Sequence, residues 1–178
     1  SQVNAFNSQF EIVSHRENDR SGFSATLVRH RVTGQYTLSF RSTEYRAVSQ
    51  GGDIDRDTKA DTEVLTFGFA FGQLRGMEQY WHDLIEGKGS NGTLDPRLAA
   101  FKAFIAGANS KINVTGYSLG GHMATVFTEL HPDKVESAYA FNAIGRGQIN
   151  SQGTFATDGA AIRAMLDTFN QRLGSIDQ

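Results

Sequence analysis

The chain has 178 residues, the size of one domain, and its 39% hydrophobic and 11% aromatic content supplies enough apolar surface for a core, which excludes a disordered tail. Its 17 Lys and Arg against 19 Asp and Glu give a net charge of -2, without the basic excess on which nucleic-acid affinity depends, so no nucleic-acid partner is expected. The lack of cysteine excludes disulfides and thiolate chemistry, no apolar run approaches the roughly 20 residues that span a bilayer, and Ser1-Gln2-Val3-Asn4 carries no signal pattern, so a soluble chain is expected.

With 19 Gly and only 2 Pro, the sequence predicts many sharp turns and no proline-rich linker. No repeat or domain boundary interrupts it, so residues 1–178 read as a single domain. Phe23, Ala25 and Leu27 alternate with polar residues, Val32-Thr33-Gly34-Gln35 intervenes, and Tyr36, Leu38 and Phe40 alternate again, which predicts a β-hairpin. Gly51 to Glu63 is acidic and turn-like, and Val64 to Phe71 fits a buried strand or a buried helix equally. Leu74, Met77, Trp81, Leu84 and Ile85 recur at helical spacing, predicting a helix from Gly72 to Glu86 that stops at Gly87. Asp95 and Pro96 have the N-cap and first-turn chemistry of a second helix, along which Leu98, Phe101 and Ile105 share one side.

Ile112-Asn113-Val114-Thr115 reads as a strand, and helix-favouring residues run from His122 to Leu130 until His131-Pro132-Asp133 breaks them. Val135 to Phe141 reads as a further strand before a Gly145-Arg146-Gly147 loop, and a last helix is expected from about Asp158 to Arg172. Helices alternating with strands predict an α/β fold with a mostly parallel sheet and flanking helices.

Between the strand at 112 and the following helix stands Gly116-Tyr117-Ser118-Leu119-Gly120, which fits the G-x-S-x-G nucleophile elbow. In that turn a strained backbone lifts the serine oxygen above the sheet edge. Gly116 and Gly120 are needed because side chains there would strike the neighbouring strand or helix. The Leu119 N–H falls at the start of a helix, where unpaired donors and the dipole suit a developing oxyanion.

Gly116-Tyr117-Ser118-Leu119-Gly120-Gly121-His122 resembles the elbow of class 3 lipases, and Tyr36-Thr37-Leu38-Ser39-Phe40-Arg41-Ser42-Thr43-Glu44 resembles their strand ending in Phe-Arg-Gly-Thr. Gly68-Phe69-Ala70-Phe71-Gly72-Gln73-Leu74 and Tyr80-Trp81-His82-Asp83-Leu84 are similar to segments of bacterial secreted lipases and phospholipases. The resemblance implies an α/β-hydrolase fold, a secreted, extracellular setting and a Ser118 nucleophile acting on lipid esters. It also implies an oxyanion hole completed by Thr43, with Ser42 standing where many members have glycine.

A serine nucleophile needs a base and an acid, which in this fold follow the serine in the order acid, then histidine. Of the histidines after Ser118, His131 lies 13 residues on, about 20 Å along a regular helix, and His122 sits inside the elbow helix as a packing or hydrogen-bonding residue. No catalytic histidine is identified. Asp177, 59 residues after Ser118, has the acid's spacing but no strand before it. The chain is therefore expected to be the N-terminal part of a longer lipase-like protein, incomplete at its C-terminus and nearly inactive alone. An uncovered sheet edge would then take a missing C-terminal segment or a second copy.

No cofactor is required by this chemistry. Asp53, Asp55 and Asp57 begin like a calcium loop, but Thr58 and Val64 occupy its glycine and glutamate positions. Phe67, Phe69, Phe71 and Trp81 read as core or as the wall of an acyl-chain site. Two functions follow: a serine hydrolase of lipid esters, with contact to a lipid interface and with thioester or polyester substrates as variants, or a non-catalytic binding module that keeps the elbow for structural reasons.

Overall fold

The computed structural model describes residues 2–18, 21–42 and 70–143, together with residues 160, 163, 164, 167 and 171. In chain order the elements are α1 (Gln2–Gln9), β1 (Phe10–Arg16), β2 (Ala25–His30), β3 (Tyr36–Phe40), α2 (Phe71–Glu86), a 3-10 turn (Pro96–Leu98), α3 (Ala99–Ile105), β4 (Ile112–Tyr117), α4 (Leu119–Leu130) and β5 (Val135–Phe141). The expected hairpin is β2–β3, closed by Gly34 at φ 74°. Residues 160, 163, 164, 167 and 171 are helical, within the span expected for the last helix. α1 and β1 carry no strong sequence signal: α1 buries none of its residues.

The sheet runs β1-β2-β3-β4-β5. It is mixed rather than mostly parallel: β1–β2 and β2–β3 are antiparallel, β3–β4 and β4–β5 parallel. The reason lies in the connections, because a short link such as Arg31–Gln35 can only reverse the chain, whereas α2, α3 and α4 are long enough to return it to the same end. Parallel pairing begins only after the hairpin. The structure is thus α/β, with helices against a five-stranded mixed sheet.

Alternation along the strands selects the covered face. Leu27, Leu38, Phe40, Ile112 and Val114 are buried, while Thr37, Ser39, Asn113 and Thr115 between them are half-buried. Against the apolar face pack Leu74, Met77, Trp81 and Leu84 of α2, Phe101 and Ile105 of α3, and Met123, Val126 and Phe127 of α4. Aromatic edges knit the layers: Trp81 meets Phe127 at 5.1 Å, Tyr36 meets Phe101 at 5.0 Å, and Phe127 meets Phe40 at 5.7 Å between ring centroids. Trp81 is therefore core.

The ends of the helices follow local chemistry. Gly87 closes α2 in the left-handed conformation, φ 75°, donating its N–H back to the last turn. Asp95 Oδ1 accepts the Arg97 N–H at 3.0 Å, capping the 3-10 turn that leads into α3. No helix among the described residues is long and apolar enough to cross a membrane.

Candidate functional site

The parallel half of the sheet aims its strand ends at one place. β3 and β4 pair in register with Phe40 opposite Gly116, and β4 and β5 with Tyr117 opposite Phe141, so three chain segments emerge together at the C-terminal ends of the strands. Ligand sites of open α/β sheets form outside these ends.

At that edge β4 passes into α4 through Ser118 alone. Its backbone has φ 54° and ψ -120°, a conformation that L-residues avoid and that costs of order 1–3 kcal/mol. Neighbouring contacts hold it there. The Ser118 N–H donates to Phe141 O at 2.9 Å, tying the bend to the end of β5, and its carbonyl accepts the N–H groups of Gly121 at 2.9 Å and His122 at 3.2 Å. The N–H groups of Leu119 and Gly120, the first two of α4, precede the first helical hydrogen bonds and lie at the positive end of the helix dipole.

The glycines of this bend are required by close approach. A Cβ on Gly116 would lie 2.1 Å from the backbone of Gly120, and one on Gly120 would lie 2.5 Å from the Phe40 carbonyl and 2.8 Å from that of Arg41. Gly121 is similarly closed, 2.6 Å from the Ala143 side chain. Each distance is far inside van der Waals contact with atoms that cannot swing away. The elbow helix is thereby wedged between the chain leaving β3 and the chain leaving β5.

Ser118 is partly exposed. Beside it Tyr117 is 55% and Phe141 58% exposed, and Tyr139 one step down β5 is 50% exposed, giving the strand ends an apolar rim. Asn142 follows Phe141 at φ 45° and donates its side-chain amide to Tyr117 Oη at 3.3 Å. Sequence reasoning missed Asn142; the signal available was an asparagine, which tolerates this conformation, placed straight after an apolar strand.

All five histidines are engaged away from Ser118. The Ala70 N–H donates to His122 Nε2 at 3.3 Å inside the core, and the ring joins α4 to the entry of α2. His131 donates to Glu78 Oε1 at 2.7 Å. His82 faces Glu86 at 3.3 Å, His15 Nδ1 meets Thr26 Oγ1 at 2.8 Å, and His30 Nδ1 accepts the Val32 and Thr33 N–H groups. Thr43 lies just outside the described residues, one position beyond Ser42. Asp177, Asp53, Asp55 and Asp57 also fall outside them. Among the described residues no group of three or more His, Asp or Glu is placed to hold a metal ion.

Comparison with known protein families, with curated proteins and with solved structures finds no match to this chain.

Proposed function

We propose that the chain is an α/β-hydrolase-type module in which Ser118 attacks the carbonyl carbon of carboxylic esters, with lipid esters as the substrate class. The observation that carries the proposal is the backbone of Ser118, held at φ 54° and ψ -120° between β4 and α4 by glycines that no other residue could replace without a clash. A strained conformation is retained where neighbouring structure enforces it, and such positions gather at reactive sites. Attack by Ser118 Oγ forms a tetrahedral adduct whose oxyanion is met by the Leu119 N–H, with Thr43 as the second donor. Collapse expels the alcohol and leaves an acyl-enzyme, which water then hydrolyses. The exposed Tyr117, Tyr139 and Phe141 suit an apolar acyl chain or the surface of a lipid aggregate.

The Ser118 proton needs a base, and each of the five imidazoles is committed elsewhere. We therefore assign the base to a group outside these 178 residues, supplied by further chain or by a partner, in an extracellular setting. The same commitment of the histidines favours a second reading, a binding module that keeps the elbow for its packing. A fluorophosphonate probe separates them when applied to the whole protein. Covalent labelling mapped to Ser118, and lost in Ser118→Ala, is the expected result; an unlabelled Ser118 would leave the binding module.

A further inference from the structure

At the other end of the molecule α2, α3 and the α4–β5 corner line an open cavity of about 940 Å³, within the size range of small-molecule sites. Its wall is apolar where Trp81, Ile85 and Ile105 meet, and Arg75, Lys102 and Lys134 stand around it. The charges are unevenly matched. Glu78 is engaged by His131 and by the Arg163 guanidinium. Glu86 is bridged by Lys88, which lies outside the cavity, and by His82. Lys102 and Lys134 donate to the main-chain carbonyls of Glu86 and Ile105 rather than to carboxylates. Three cations thus share the space with one further carboxylate, the exposed Asp133.

We propose that this cavity binds a small amphipathic organic anion, its apolar body against Trp81, Ile85 and Ile105 and its acidic head beside Lys102 and Lys134. Burying apolar surface gives such a ligand its affinity, and the ammonium groups select its charge. The site is independent of the Ser118 chemistry.

Trp81 is the chain's only tryptophan and lines this cavity, so its fluorescence responds to a ligand seated there. The test titrates the protein with decanoate, decyl maltoside and decyltrimethylammonium, each below its micelle-forming concentration. A saturable Trp81 response is expected with decanoate at roughly tenfold higher affinity than with the neutral or cationic tail. Lys102→Gln and the double change Lys102→Gln with Lys134→Gln should each weaken decanoate while circular dichroism reports an intact fold; Lys102→Gln, on an exposed residue, keeps the test available if the double variant unfolds. Pretreatment with fluorophosphonate should leave the response unchanged. No saturable response, or equal affinity for the three tails, would overturn the proposal.

Discussion

The two ends of the sheet are built by different forces. At the C-terminal ends of β3, β4 and β5 the arrangement is made of backbone against backbone, with Gly116, Gly120 and Gly121 admitting approaches of 2.1–2.6 Å to a would-be Cβ and Ser118 in a strained bend. At the opposite end it is made of side chains: the ion pairs of Glu78 with His131 and Arg163, with the His131 ring tilted against Trp81 and Phe127. The first end tolerates almost no change of shape. The second rests on charge and burial and can be altered one group at a time.

The sharpest way to break this contrast is Gly116→Ala. The added methyl meets the Gly120 backbone, which cannot move without unseating α4, so a loss of about 3 kcal/mol is expected from denaturant unfolding, together with loss of Ser118 labelling. An unchanged midpoint would mean that the bend is not sterically locked.

Ser118 offers a finer test. Ser118→Gly should relieve the strain and raise stability by about 1 kcal/mol, whereas Ser118→Ala keeps the same backbone conflict and should stay within about 0.5 kcal/mol of the parent. Equal midpoints for the two variants would remove strain from the description of the elbow.

A pH-dependent effect belongs to the other end. Burial pushes the Glu78 carboxyl up, but the hydrogen bonds and charges of His131 and Arg163 outweigh it and hold the group below its ordinary range. A carboxyl lowered on folding stabilises fully above its unfolded-state value and loses that contribution as pH falls through its folded-state value. Thermal melts should therefore show the parent losing stability on acidification in the carboxylate range. Glu78→Gln should lie about 1 kcal/mol lower at neutral pH and show a shallower acid limb. Parallel acid limbs would detach Glu78 from the ion-pair cluster.

The two ends also differ in how far the sequence discloses them. The elbow is legible because its contacts begin within six consecutive residues, Gly116 to Gly121, and local sterics fix the residue types. Its surroundings are less so. That Phe40 and Arg41 close on Gly120, and Ala143 on Gly121, follows from register across three strands. The Glu78 ion-pair cluster is invisible in the sequence, because Glu78 lies 53 positions from His131 and 85 from Arg163 and no periodicity links them. His131 alone reads as a helix-ending residue.

The sequence by itself determined the helix and strand alternation from residue 72 to 141, the hairpin before it and the glycine-flanked serine between strand and helix, since each depends on residues near one another in the chain. Tertiary structure alone decided that the sheet is mixed, that β1 joins it, where each histidine is committed, and that a cation-lined cavity opens under Trp81. Those outcomes depend on which distant segments share a face, a choice set by the collective burial of apolar surface rather than by any local pattern.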